Sequence, residues 1–256
     1  MAQVVDLNSD IGESFGDYKL GMDDEVLQYI TSANIACGFH AGDPLIMEKT
    51  VALAASKKVS IGAHPGYPDL MGFGRRDLKA TPAEVKAYVT YQLGALMAFA
   101  AAHGIHVAHL KAHGAMYNMA AVDYNLARAI ADAVHAVDSH VILLALAGSQ
   151  MVKAAHDAGL MVAEEVFADR AYNEDGTLVA RSKPGSMIDD EHVAIARVVR
   201  MVTEGKVQAI TGNDIAIRAD SVCVHGDNPQ AVAFVRQIRD ELQRQGIDVV
   251  PMTRFL

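Results

Sequence analysis

The chain has 256 residues, 51% of them hydrophobic and 21% charged, with a formal net charge of −9. That composition suits a packed α/β protein and sets aside a mostly disordered chain. The acidic balance argues against a non-specific grip on nucleic acid or an anionic membrane, while a local basic site for an anionic substrate stays open.

Short β-rich runs alternate with longer helical segments. The strand candidates are Val4–Asn8, Asn34–Gly38, Val59–Ala63, Val107–Lys111, Val141–Leu146, Met161–Val166 and Val222–His225. Most are near-continuously apolar, as expected of parallel strands buried on both faces. Helix starts are marked by Asp43-Pro44, by Thr81-Pro82-Ala83-Glu84 with its capping-box glutamate, by Ser149 and by Asn228-Pro229. Gly104, Gly159 and Gly246 mark helix ends. The longest apolar stretch, Leu93 to Ala102, is far too short for a membrane span and reads as a buried helix. Two irregular stretches break the rhythm. Asp169 to Asp189 reads as a long functional loop with a turn at Tyr172–Thr177, and Val207 to Asp220 as an extra strand or hairpin.

Seven strand–helix alternations predict a parallel α/β architecture. A doubly wound sheet that binds a dinucleotide would carry G-x-G-x-x-G after its first strand, and here acids stand there instead. The expectation is a parallel (β/α) barrel of seven or so strands, with residues 1–256 forming one domain. No basic region followed by an apolar one opens the chain, which points to the cytoplasm. Cys37 and Cys223 each sit in apolar runs and read as small buried hydrophobes.

In such folds active sites gather at the C-terminal ends of the strands. The first strand carries Asp6, Asn8 and Asp10 at alternate positions, hence on one face, with Glu13 on the following loop. Later strands run into His40, into His64, into Lys111 and His113, into Glu165, Asp169 and Arg170, and into His225-Gly226-Asp227. Lys111 and His113 share a parity, and an inward lysine needs an anionic partner that the acids of the first strand could supply. His109 shares that parity but lies deeper and reads as a core histidine, and Asp6 reads as structural. Arg75 and Arg76, beside flexible glycines, make a phosphate clamp or an exposed basic turn.

Two chemistries could use these residues. One is a divalent metal held by Asp10, His40 and His64. The other is metal-free acid–base catalysis by Asp10 or a histidine, with Lys111 stabilising negative charge. No Walker motif occurs, so any nucleotide binds without one.

Several long blocks resemble the LamB/YcsF family: Asp6 to Glu13, Asn34 to Asp43, Gly62 to Asp69, Gly72 to Arg76, Val107 to Tyr117, Glu164 to Tyr172, Leu178 to Ser182 and Val222 to Pro229. The resemblance implies a seven-stranded (β/α) barrel related to polysaccharide deacetylases and certain glycosidases. It also implies opening of the lactam of 5-oxo-L-proline to L-glutamate, coupled to hydrolysis of ATP with Mg2+, in a 5-oxoprolinase complex with B and C subunits. Catalysis is then expected from Asp10, Lys111, His113 and His64. Substrate and ATP binding would fall to Asn8, Glu13, His40, Arg75, Arg76 and His225. The competing readings are a stand-alone metal-dependent hydrolase or deacetylase on the same barrel, and a binding component whose chemistry lies in a partner.

Overall fold

A computed structural model describes residues 3–226 and 228–256; Asp227, which the sequence places after the last barrel strand, lies outside the described residues. The first six parallel strands are β1 (Val4–Ile11), β2 (Ser32–Ala36), β3 (Ser60–His64), β4 (Val107–Leu110), β5 (Ile142–Leu146) and β6 (Val162–Phe167). An antiparallel hairpin of β7 (Lys206–Gln208) and β8 (Asp214–Ala216) then occupies the Val207–Asp220 patch. The seventh parallel strand, β9 (Ser221–Cys223), pairs with β6 on one side and β1 on the other, closing the ring. The expected barrel is therefore the observed one. The two-residue β10 (Asp248–Val249) extends the sheet beside the start of β1.

Helices wrap the ring, and their starts follow the local chemistry. The Asp43 carboxylate accepts from the Leu45 and Ile46 amides to open the helix Pro44–Lys57. Thr81 and Glu84 form the reciprocal capping box of the helix Pro82–Ala102. Asn228 caps the helix Pro229–Arg244 through the Ala231 amide, whereas the Ser149 hydroxyl makes no bond at its helix start. No helix among the described residues is long and apolar enough to cross a membrane.

The two faces of the strands do different jobs. Outward-facing Val5, Leu7, Ile35, Ile61 and Leu110 join the main core beneath the helices. Inside the ring, Ile142, Leu144 and Ala163 pack with Met252 of the C-terminal turn, whose backbone also bonds Asp6. Above them the interior turns polar. Asp6 accepts from Thr31 (2.7 Å), Ser32 (2.6 Å) and Ser221, and the Asn8 amide donates to Ser221 at 2.7 Å. Burial raises the Asp6 carboxyl to about 6 against those hydrogen bonds, in keeping with a structural role. The His109 imidazole fills the space over Gly62, where a Cβ would come within 2.2 Å of the ring, and bonds Asn34 at 2.6 Å.

Candidate active site

The polar interior rises into a cavity of about 480 Å³ at the C-terminal end of the barrel. Its lining includes Asp10, Glu13, His64, Arg75, Lys111, His113, Tyr117, Phe167, Arg170, Arg181 and His225. Strand parity explains the convergence. Asp10 ends the inward row of β1, His64 closes β3, and Lys111 and His113 follow β4 with the same alternation.

Lys111 is the centre of charge. Its ammonium has three hydrogens and four close acceptors: Glu165 Oε1 at 2.7 Å, Asp10 Oδ1 at 3.0 Å, Asn8 Oδ1 at 3.2 Å and Cys223 Sγ at 3.2 Å. The two carboxylates make ion pairs with it. Burial opposes the charge of Lys111, yet Asp10 and Glu165 hold it well above the ordinary lysine range. Burial likewise opposes the charge on Asp10, and His64 and Lys111 outweigh it to keep the carboxyl well below the usual range. Both groups are charged at neutral pH. Tyr117 donates to the other side of Glu165 at 2.6 Å, and burial followed by that carboxylate pushes its phenol up, so it stays a donor.

The imidazoles form a second cluster. His64 Nδ1 lies 2.8 Å from the Lys111 carbonyl and His113 Nε2 lies 2.8 Å from the Phe73 carbonyl. A carbonyl only accepts, so those nitrogens carry the hydrogens. In the neutral rings His64 Nε2 and His113 Nδ1 then turn lone pairs toward each other 3.0 Å apart. Burial, then the neighbouring His40, presses the His113 pKa well below its usual value, so its own protonation does not relieve the contact. A hydrogen on His64 Nε2, which also faces Asp10 Oδ2 at 3.3 Å, would relieve it, and so would a cation between the rings. Glu13, His40, His64 and His113 each offer a ligand atom, all within 4.8 Å of one another.

These donors fit a divalent ion. Two nitrogens on one tetrahedral metal stand about 3.3 Å apart, close to the observed gap, and metal-bound histidines commonly donate their other N–H to a carbonyl. Both ring nitrogens of buried His40 lack a hydrogen-bond partner among the described residues, with Nε2 3.6 Å from Glu13. His40 stacks on His113 at 3.6 Å and 3°, however, so the two rings point side by side and His40 is the least convergent member. The group differs from the expected Asp10, His40 and His64. Glu13 and His113 join it, while Asp10 is drawn to Lys111 through Oδ1 and reaches His64 only through Oδ2 at 3.3 Å.

Of the residues singled out from sequence, Asp10, Glu13, His64, Arg75, Lys111, His113 and His225 meet at the cavity. Asn8 lies beneath it, accepting from Asn34 (2.8 Å) and Lys111, and His40 sits behind His113. Arg76 does not join them. It pairs with Asp69, whose carboxylate also accepts from Gly72, and the side chain is spent in that turn. Arg75 stacks over Phe73 at 4.9 Å and faces the cavity alone, so the two arginines form no clamp.

Sequence patterning places Glu165 at a strand end without giving it a task, reads Cys223 only as a buried hydrophobe, and assigns no role to Tyr117 or Arg181. Glu165 carries a signal, since of the pair Glu164-Glu165 in an apolar strand one must point inward. Cys223 is buried as expected but is also a polar contact of Lys111, and burial first keeps it a thiol by raising its pKa. Tyr117 lies on a helix with no local feature that marks it.

A profile of the LamB/YcsF family matches residues 5–256. The chain belongs to that family. A protein from Alkaliphilus metalliredigens, named as the A subunit of 5-oxoprolinase, is 60% identical over 252 residues, covering 98% of each chain. The crystal structure of a lactam utilization protein from Thermus thermophilus superposes with a TM-score of 0.91 at 47% identity, over 96% of this chain and 99% of that one. A deacetylase solved with substrate shares the fold alone, at a TM-score of 0.52 and 14% identity over 99% of this chain and 90% of that one. The kinship of this LamB/YcsF barrel to deacetylase barrels, expected from the resemblance, is thus borne out at the level of fold.

Proposed function

We propose that this chain is the A subunit of an ATP-dependent 5-oxoprolinase, opening the lactam of 5-oxo-L-proline to L-glutamate together with B and C subunits. The observation that carries this reading is the identity, over 98% of the chain, with a relative that bears the name of the 5-oxoprolinase A subunit. The cavity supports it, because its groups suit the chemistry. A five-membered lactam is a stable amide whose carbonyl needs activation. ATP, as a co-substrate with Mg2+, supplies that by phosphorylating the lactam oxygen with release of ADP. Water adds to the activated carbon, and the C–N bond breaks as the ring nitrogen takes a proton. A second water hydrolyses the resulting acyl phosphate to glutamate and phosphate.

The protein's own residues would then do three things. Lys111, held by Asp10 and Glu165, stabilises negative charge developing at the reacting oxygen. Asp10, and in the metal-free site the His64–His113 pair, take a proton from water and return one to the ring nitrogen. Arg75 offers positive charge toward an anion, and His225, held by Asp169 at 2.9 Å, faces the same space. A divalent ion held by Glu13, His64 and His113 with His40 would supply Lewis-acid polarisation and an acidified water.

That last group also favours a second reading, a metal-dependent hydrolase that works without ATP. Reconstitution separates the two. The chain, alone and with its B and C partners, is given 5-oxo-L-proline with and without ATP while glutamate and ADP are followed. Glutamate formation that needs this chain, its partners and ATP is the expected result. Stoichiometric bound metal with hydrolysis by the lone chain in the absence of ATP would establish the second reading instead.

A further inference from the structure

We propose that Arg170 and Arg181 form an oxyanion-binding subsite in the wall of the cavity, built to take a carboxylate or a phosphate. Both belong to the strap that follows β6. This strap is a folded piece of structure: Ala171 donates to Ser186 (3.0 Å), Val179 to Ala171 (3.0 Å) and Ile188 to Asp169 (2.8 Å). It presents Thr177 to Arg181 to the cavity.

Three observations point to a missing anion. Arg170 is only 5% exposed and lines the cavity, yet among the described residues its side chain makes a single hydrogen bond, from Nη2 to the Val179 carbonyl at 2.7 Å. Its Nε–H is buried with no acceptor among the described residues, which is rare for a buried donor. Among the described residues, neither guanidinium has a carboxylate within 4.0 Å; Arg181 reaches only the Met187 sulfur at 3.5 Å. The charges do not balance either. Among the described residues the nearby carboxylate is Asp169, which holds His225 through Oδ2 and keeps Oδ1 without a hydrogen bond, so one carboxylate offsets two guanidiniums. Burial, then the charge of Arg181, presses the Arg170 pKa down, a strain that a bound anion would relieve. Lys111, in contrast, has two carboxylates of its own.

A guanidinium fork matches the two oxygens of a carboxylate or phosphate. The subsite deepens the reading given above, on which its anion is either the carboxylate of 5-oxo-L-proline or a phosphate of ATP. With that end fixed, the lactam carbonyl is free to turn toward Lys111 and Asp10.

Calorimetry on the full chain, alone and with its partners, tests the proposal. The ligands are 5-oxo-L-proline, 2-pyrrolidinone (the same ring without the carboxylate), ATP and inorganic phosphate. Binding of 5-oxo-L-proline well above 2-pyrrolidinone identifies the carboxylate as the anion; binding of phosphate and ATP identifies the phosphate. In either case Arg181→Gln, at an exposed position, should weaken the bound anion about 10- to 100-fold, as loss of a charge-assisted hydrogen bond does. Arg170→Lys, which keeps the charge and loses the fork, should weaken the same anion. If phosphate binding falls in these variants while no 5-oxo-L-proline binds, the subsite stands and the lactam reading fails. Wild-type affinity for every anion in both folded variants, or no anion binding by the wild type in any state, overturns the subsite.

Discussion

At the scale of single residues the chemistry centres on Lys111, and its energetics follow from its neighbours. Removing the ammonium would leave Asp10 and Glu165 side by side with no counter-charge, the second of them fully buried. Breaking a buried pair by deleting one partner typically costs about 3–5 kcal/mol. Lys111→Met should therefore lower stability by about that amount, read from the urea midpoint at constant slope. A loss under about 1 kcal/mol would show that water already screens the pair. The imidazole cluster gives a separate expectation. Chain purified without chelator and scanned for metals should hold a divalent ion, and His64→Ala and His113→Ala should each deplete it at least about 10-fold, as loss of a ligand does. Metal content unaffected by either substitution would leave the 3.0 Å approach of the two rings to a shared proton.

At the scale of elements, the barrel works by alternation, and alternation makes much of it legible in the sequence. Asp6, Asn8 and Asp10 project to one side because a strand repeats every two residues, and the three helix caps at Asp43, Thr81 and Asn228 form the bonds their sequences announce. Boundaries are less readable. β1 runs on to Ile11, so Asp10 sits within the strand; its inward row is polar, and hydrophobicity does not mark where it ends. β10 has two residues, too few for a period, and Arg76 departs from the expected clamp because Asp69, seven residues earlier, captures it through a turn. The sharpest structural test lies at Gly62. A methyl group there would strike the His109 ring, which is fully buried and bonded to Asn34. Gly62→Ala should destabilise by about 1–3 kcal/mol, as overpacking does, and Gly62→Ala with His109→Ala should recover part of it. Additive losses in that double-mutant cycle would contradict the contact.

At the scale of the whole molecule, the buried titratable groups set a pH dependence. Burial holds His40 and His113 well below their ordinary pKa and lowers His109 to about 3, so the folded state keeps all three neutral. The unfolded chain protonates them below about pH 6.5, takes up more protons there, and gains ground as pH falls. Asp6 and Asp23, both raised to about 6 by burial, act the other way between about pH 4 and 6. Three imidazoles outweigh two carboxylates. The metal-free protein should be most stable above about pH 6.5 and lose about 1.4 kcal/mol per pH unit for each net proton below it. A urea midpoint that stays flat from about pH 7 to pH 5 would mean the histidines titrate normally.

The fold class is readable because seven apolar runs and their helices leave few alternatives, and the cavity because polar residues recur at one end of those runs. Arg170 is readable on the same ground, just past the sixth strand, whereas Arg181 is not, since a long loop carries no period from which to infer what it faces. All of the chemistry proposed above depends on the lactam opening in the cavity around Lys111 and Asp10. Asp10→Asn keeps the shape and leaves Lys111 paired to Glu165, so it tests chemistry more than folding. Glutamate formation from 5-oxo-L-proline and ATP is measured in the assembled complex with this variant in place of the wild-type chain. A loss of at least about 100-fold is expected, the scale of a removed acid–base group. Turnover within about twofold of wild type would contradict catalysis at this site.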